Sequence, residues 1–203
     1  QGSWQRCSGT PAGLRSSGGQ RSPVWQRNPG AAFQGGPVIK DAKHRGGDLG
    51  ELWVRAGELE KSGNIDAAIG LYEQIYAANT NAVTIANNLA SLIATHKDDT
   101  DSLKRAATIA KRLRDSDIPP FQDTYGWIAF RLGNFEEAKN YLEPAATGLP
   151  DDPLVQFHLG MAYAALGEMD QARKVLTRAI ELAGDSALPQ FDTARQQLQE
   201  LGG

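Results

Sequence analysis

Apolar positions along the chain fall at helical spacing in short blocks, each ended by a glycine, proline or acidic turn. Leu52, Ala56 and Leu59 make one stripe, and Ile65, Ala68, Tyr72 and Ile75 the next, with Ser62-Gly63-Asn64 between them. A glycine in such a turn supplies a left-handed backbone at little cost. Ile85, Leu89, Leu92 and Ile93 form a third stripe, and Leu103, Ala106, Ile109, Ala110 and Leu113 a fourth. Aligning Ala106 with Ala68 puts about four extra residues in the turn between these two stripes, His96 to Asp101. Thr100 or Asp101 is the expected N-cap of the helix that follows. Asp117-Ile118-Pro119-Pro120 closes this pair and opens the next, because proline fits only a first helical turn.

From residue 119 onward the pattern repeats every 34 residues. Tyr125-Gly126 is answered by Leu159-Gly160, Arg131-Leu132-Gly133 by Ala165-Leu166-Gly167, and Glu137-Ala138 by Gln171-Ala172. Leu142 and Ala145 are answered by Leu176 and Ala179. Small residues recur where helices must approach closely, and leucine at Ala138 or Ala172 is expected to overpack the pair by about 1–3 kcal/mol. After Gly184, Phe191, Ala194, Leu198 and Leu201 share one face opposite a glutamine-rich one, as a terminal cap on a stack requires. A fixed period of this length is the mark of stacked helical hairpins.

The pattern resembles the tetratricopeptide repeat family, most closely over residues 119–184, with Phe157-His158-Leu159-Gly160-Met161-Ala162-Tyr163 nearest to the family signature. The run 86–90 followed by 123–127 is similar to the last repeats of large bacterial members, some of them linked to exopolysaccharide export. The resemblance implies an all-α, right-handed α-solenoid of about four helix-turn-helix units and a capping helix. Units are expected at about 49–82, 83–118, 119–152 and 153–186, with the cap at about 188–201. It further implies a non-catalytic scaffold or adaptor that binds a peptide or partner protein along a concave groove lined by the first helix of each unit.

On a helical wheel, the first-helix residues opposite the small contacts are Trp53, Asn87, Asn88, Ser91, Asp123, Trp127, Phe130, Arg131, Phe157 and Met161. Asn87 and Asn88 offer donor and acceptor to a peptide backbone. Trp127, Phe130, Phe157 and Met161 would form an adaptable apolar floor, and Arg131 a fork for a carboxylate. For Trp127 and Phe157, packing between neighbouring first helices is the competing expectation.

Charge changes the picture only at the N-terminus. Of the 203 residues, 1–47 hold seven Lys/Arg and one Asp, whereas 48–203 hold 14 Lys/Arg and 23 Asp/Glu. The first segment is rich in Gly, Ser, Gln, Arg and Pro and reads as disordered, either a basic arm or, more plainly, a disordered tail or vector-derived sequence. The acidic remainder excludes phosphate-backbone binding as its role, so nucleic acid is not an expected partner. Cys7 is the sole cysteine, and His44, His96 and His158 stand apart in the sequence, so no disulfide, zinc site or catalytic set is expected and no cofactor either. No apolar run reaches the ~18 residues of a membrane span. A bacterial cytoplasmic or periplasmic setting fits the resemblance. Self-association into a homodimer is the second functional expectation.

Overall fold

The computed structural model describes residues 49–202; the basic segment 1–47, with Cys7 and His44, lies outside the described residues. Within them the chain is all-helical, in the order α1 (Leu49–Lys61), α2 (Ile65–Ala78), α3 (Val83–His96) and α4 (Thr100–Ala110), then a 3-10 turn, Lys111–Leu113. There follow α5 (Pro119–Arg131), α6 (Phe135–Gly148), α7 (Pro153–Ala165), α8 (Met169–Ala183) and α9 (Pro189–Gly202). Each odd-numbered helix up to α7 packs against the helix that follows it, α3 touches α5, α5 touches α7, and α9 lies against α7 and α8. This is the helical-repeat solenoid expected from the sequence.

Local chemistry explains the boundaries. Pro119 and Pro153 occupy first helical turns, where a missing N–H costs nothing. Asp152 caps α7 by accepting from Leu154 N at 3.0 Å. Gly63, Gly133 and Gly167, each the middle residue of a three-residue turn, have φ of 77°, 83° and 76°, a region that side chains with Cβ avoid.

The eighth residues of the four first helices are Ala56, Ala90, Gly126 and Gly160. A Cβ on Gly126 would come within 2.7 Å of Leu142 Cγ, and one on Gly160 within 2.6 Å of Leu176 Cγ and Cδ2. Ala138 and Ala172, the fourth residues of their helices, are fully buried. Phe191 and Ala194 of α9 close the C-terminal end of the core, with Leu198 and Leu201 packed beside them.

The second pair departs from the expectation in two ways. Its turn is Lys97–Asp98–Asp99, three residues like the others; the extra length lies in α3, one residue longer than α1, α5 and α7, and in the exit 111–118. Leu103, not Ala106, is therefore the fourth residue of its helix. The N-cap of α4 is Asp99, whose carboxylate accepts from Ser102 N at 2.8 Å, so Thr100 and Asp101 are the first two helical residues. That bond holds the Asp99 carboxyl below its usual range.

Candidate binding groove

Because the four first helices share one register, the expected groove residues fall into rows. The fifth residues are Trp53, Asn87, Asp123 and Phe157, and the ninth are Gly57, Ser91, Trp127 and Met161. Successive residues in a row belong to successive units. The rows divide into two clusters.

The C-terminal cluster is aromatic. Trp127 lies flat on Phe130, with centroids 4.9 Å apart, and on His158 at 4.1 Å; Phe157 tilts against it at 5.8 Å. Phe130 also meets Phe135 of α6 at 5.4 Å. Trp127 is 8% and Phe157 3% exposed, so both rings fill the seam between α5 and α7 rather than an open floor. Phe130 and Met161 keep part of their surface outside, as does Ser91 on α3. Asp123 binds His158 Nδ1 at 2.8 Å across the same seam. His158, isolated in the sequence, thus has both a carboxylate and an indole as neighbours. The indole Nε1 of Trp127 is buried without a hydrogen-bond partner.

Arg131 corrects an expectation. Its guanidinium is not a free fork for a ligand: it donates to Ala94 O, to Lys97 O at 3.0 Å and to Asp98 Oδ1 at 2.6 Å. These are the C-terminal carbonyls of α3 and its turn, which have no helical donor of their own. The arginine side chain is long enough to leave α5 and satisfy the end of the neighbouring first helix. The guanidinium also lies 6.0 Å from the Trp127 ring centroid.

The N-terminal cluster is polar. Trp53, half-buried, meets Tyr72 edge-on at 5.6 Å. Asn87 and Asn88 are buried, and Asn87 Nδ2 donates to Asn88 Oδ1 at 3.3 Å. Asn87 Oδ1 has no partner. Tyr72 donates to Glu60 Oε2 at 3.4 Å and stands beside Asn88. Burial pushes the Glu60 carboxyl up to about 7 against the lowering effects of Tyr72 and Lys61. Burial and Glu60 together drive the Tyr72 phenol far above its usual range.

Sequence reasoning missed Glu60, Tyr72 and His158. A signal for the first two existed: Glu60 and Tyr72 are 12 residues apart, and so are Tyr125 and Glu137, which hydrogen-bond at 2.9 Å. Among the described residues no group of three or more His, Cys, Asp or Glu side chains is placed to hold a metal, and no helix is long and apolar enough to cross a membrane.

Residues 129–198 match the family model for the tetratricopeptide repeat. Among solved structures, a thermophilic TPR protein of Thermus thermophilus is 20% identical with a TM-score of 0.56, covering 75% of this chain and 82% of that one. MamA MSR-1 is 22% identical with a TM-score of 0.52, over 76% of this chain and 98% of that one. MamA of Desulfovibrio magneticus RS-1 is 14% identical with a TM-score of 0.52, over 77% and 94%. At these identities the likeness is one of fold. No curated protein matches the sequence significantly.

Proposed function

We propose that the chain, whose residues 129–198 match the tetratricopeptide-repeat family model and whose described helices form a repeat solenoid, is a non-catalytic scaffold that holds a peptide or a segment of a partner protein across α1, α3, α5 and α7. The observation that carries this reading is the common register. The same two rows of each first helix face one side, and part-open side chains remain in them at Trp53, Ser91 and Met161, with Phe130 alongside. Trp127, Phe157 and Arg131 act beneath that surface by fixing the spacing of the helices. The acidic excess of residues 48–203 and the apolar openings favour a partner segment that is apolar and cationic.

The test is affinity capture from a lysate followed by identification, using Ser91→Arg and Met161→Arg against the unaltered chain. Each substitution puts bulk and charge into the row without touching a fully buried side chain. Equal recovery of every captured protein by both variants would sink the reading.

A second reading is self-association, and one observation favours it. Val54, the sixth residue of α1, is 58% exposed, while Asn88, Thr124 and His158 at the same place in later units are 6%, 4% and 8% exposed. Val54 is therefore open on the outer side of α1, between exposed Glu51 and Glu58, where the corresponding residues of the later first helices are covered. Sedimentation over a wide concentration range decides: a monomer throughout removes this reading.

A further inference from the structure

The second helices, α2, α4, α6 and α8, stand behind the row of first helices, and charge is spread unevenly among them. Five of the 14 Lys/Arg of residues 48–203 fall within 104–114, a run that holds no acid. The rest of that region carries nine Lys/Arg against 23 Asp/Glu. Helical spacing sorts the run into two faces. Leu103, Ala106, Ile109, Ala110 and Leu113 are buried in the core, whereas Lys104, Arg105, Lys111, Arg112 and Arg114 are exposed. Lys104 and Lys111 are seven residues apart, as are Arg105 and Arg112, so each pair shares one side of the helix, about 10 Å apart along its axis.

Elsewhere on the second helices cations have acids to meet: Lys139 pairs with Glu168, Arg173 with Asp170 and Arg178 with Asp151. On α4, Arg105 pairs with Glu73 of α2. Arg112 lies 5.3 Å from the ring centroid of Tyr76, also on α2, and Arg114 interacts with Tyr141 of α6. Among the described residues the ammonium groups of Lys104 and Lys111 have neither an ion pair nor a hydrogen bond. Lys111 and Arg114, three residues apart, repel one another. Acids bound the strip at both ends, Asp101 one turn before Lys104 and Asp115 directly after Arg114, both exposed. The basic surface is therefore about 15 Å long, which an extended peptide covers in roughly four or five residues. A nucleic-acid strand following the helix would run onto these acids, and the acidic remainder of the domain repels it further.

We infer that the exposed face of α4 and the 3-10 turn after it is a docking surface for a short acidic segment of a partner protein, whose carboxylates meet Lys104 and Lys111 with Arg105 and Arg112 beside them. The core beneath fixes the helix, Glu73 and Tyr76 steady the two arginines, and the two lysines are left to receive the ligand. Carboxylates arriving there replace like-charge repulsion with attraction. This surface is separate from the groove of first helices and does not depend on it.

The experiment titrates the full chain with acetyl-Glu-Glu-Leu-Glu-Glu-amide, its glutamine counterpart and a short thymidylate strand, at low and at physiological salt. The readouts are affinity and the backbone amide resonances of residues 104–112. At low salt the glutamate peptide is expected to bind roughly tenfold more tightly than the glutamine peptide, as a few exposed charge contacts together provide, with a smaller gap at physiological salt. Lys104→Gln combined with Lys111→Gln should remove most of that preference without lowering the melting temperature, because neither side chain reaches the core. Lys174→Gln, at an exposed cation of α8, should leave the preference in place. Equal binding of the two peptides at low salt, or a preference that survives the double variant, overturns the docking surface. Tighter binding of the thymidylate strand than of the glutamate peptide overturns its assignment to an acidic protein segment.

Discussion

The third and fourth helix pairs and the second pair solve the same packing problem with different chemistry. In α5–α6 and α7–α8 the helices meet through Gly126 against Leu142 and Gly160 against Leu176, at distances that leave no room for a Cβ. Their turns pivot on Gly133 and Gly167 in the left-handed region. Shape sets the spacing of each of these pairs, and the Tyr125–Glu137 hydrogen bond adds to it across α5–α6. In α3–α4 the corresponding close contact is made by Ala90, and the turn Lys97–Asp98–Asp99 contains no glycine: Lys97 and Asp99 sit at φ of −116° and −74°. This turn is held from outside. Arg131 reaches it from the following unit, Lys97 pairs with Asp66 of the preceding one, and Asp99 caps α4. A repeat that has lost its steric signature can therefore be kept in register by polar side chains lent by its neighbours, which makes it the pair most dependent on the rest of the stack.

The largest effect should come from attacking shape. Gly126→Val or Gly160→Val forces a branched Cβ into the leucine and is expected to cost about 3 kcal/mol, roughly 6–12 °C in melting temperature for a chain of this size. Thermal melting by circular dichroism measures it; melting unchanged in both variants would mean that these glycines do not set the helix spacing.

Next comes the clasp. Arg131→Ala leaves the Ala94 and Lys97 carbonyls without their donor and should cost about 2 kcal/mol. The loss should be local, appearing as faster amide hydrogen exchange in α3 and α4 with α7 and α8 still protected. Arg131→Lys should recover only part of it, since an ammonium cannot reproduce the fork. Uniform acceleration across all helices would count against a clasp specific to the second pair.

A smaller contrast separates the two kinds of turn. Gly167→Ala places a Cβ at φ 76° and should cost about 1 kcal/mol. Asp98→Ala removes one partner of Arg131, but that carboxylate is 96% exposed, and the expected cost is under about 0.5 kcal/mol. Chemical denaturation of the two variants side by side reads the difference, and a larger loss for Asp98→Ala would reverse the argument about which turn depends on backbone conformation.

Legibility in the sequence follows the same division. Where shape holds the pair, glycines and alanines recur at a fixed period, so α5–α8, their turns and the face of α9 could be read directly. Where polar reach holds the pair, nothing local signals it. Arg131 sits on the groove side of its helix and looks free; only the fold brings it to carbonyls 34 and 37 residues away in sequence. Trp127 and Phe157 also lie on that side, yet neighbouring first helices are close enough for flat rings to fill the seam between them. His158 looked isolated because Asp123 is 35 residues distant. A helical wheel assigns a direction to each side chain, but it does not say whether another helix already stands there.

The smallest expected effect bears on the polar end of the groove. Glu60 is an acid whose folded-state pKa, about 7, lies above its unfolded value near 4.5, because burial penalises the carboxylate. The folded chain therefore binds this proton more tightly than the unfolded chain does. The associated stability is fully present below about pH 4.5 and is lost progressively as pH rises from there to about 7. His96 works the other way: burial lowers its pKa from 6.5, so it favours folding as pH rises through that value. Melting temperatures measured from pH 5 to 7.5 span this loss, and comparing Glu60→Gln with the unaltered chain cancels the His96 contribution. The unaltered chain should lose stability across this window relative to Glu60→Gln, with the difference confined to exchange protection in α1–α3. Parallel pH profiles would mean that Glu60 titrates as an ordinary surface acid, and the polar end of the stack would then be no less relaxed than the aromatic one.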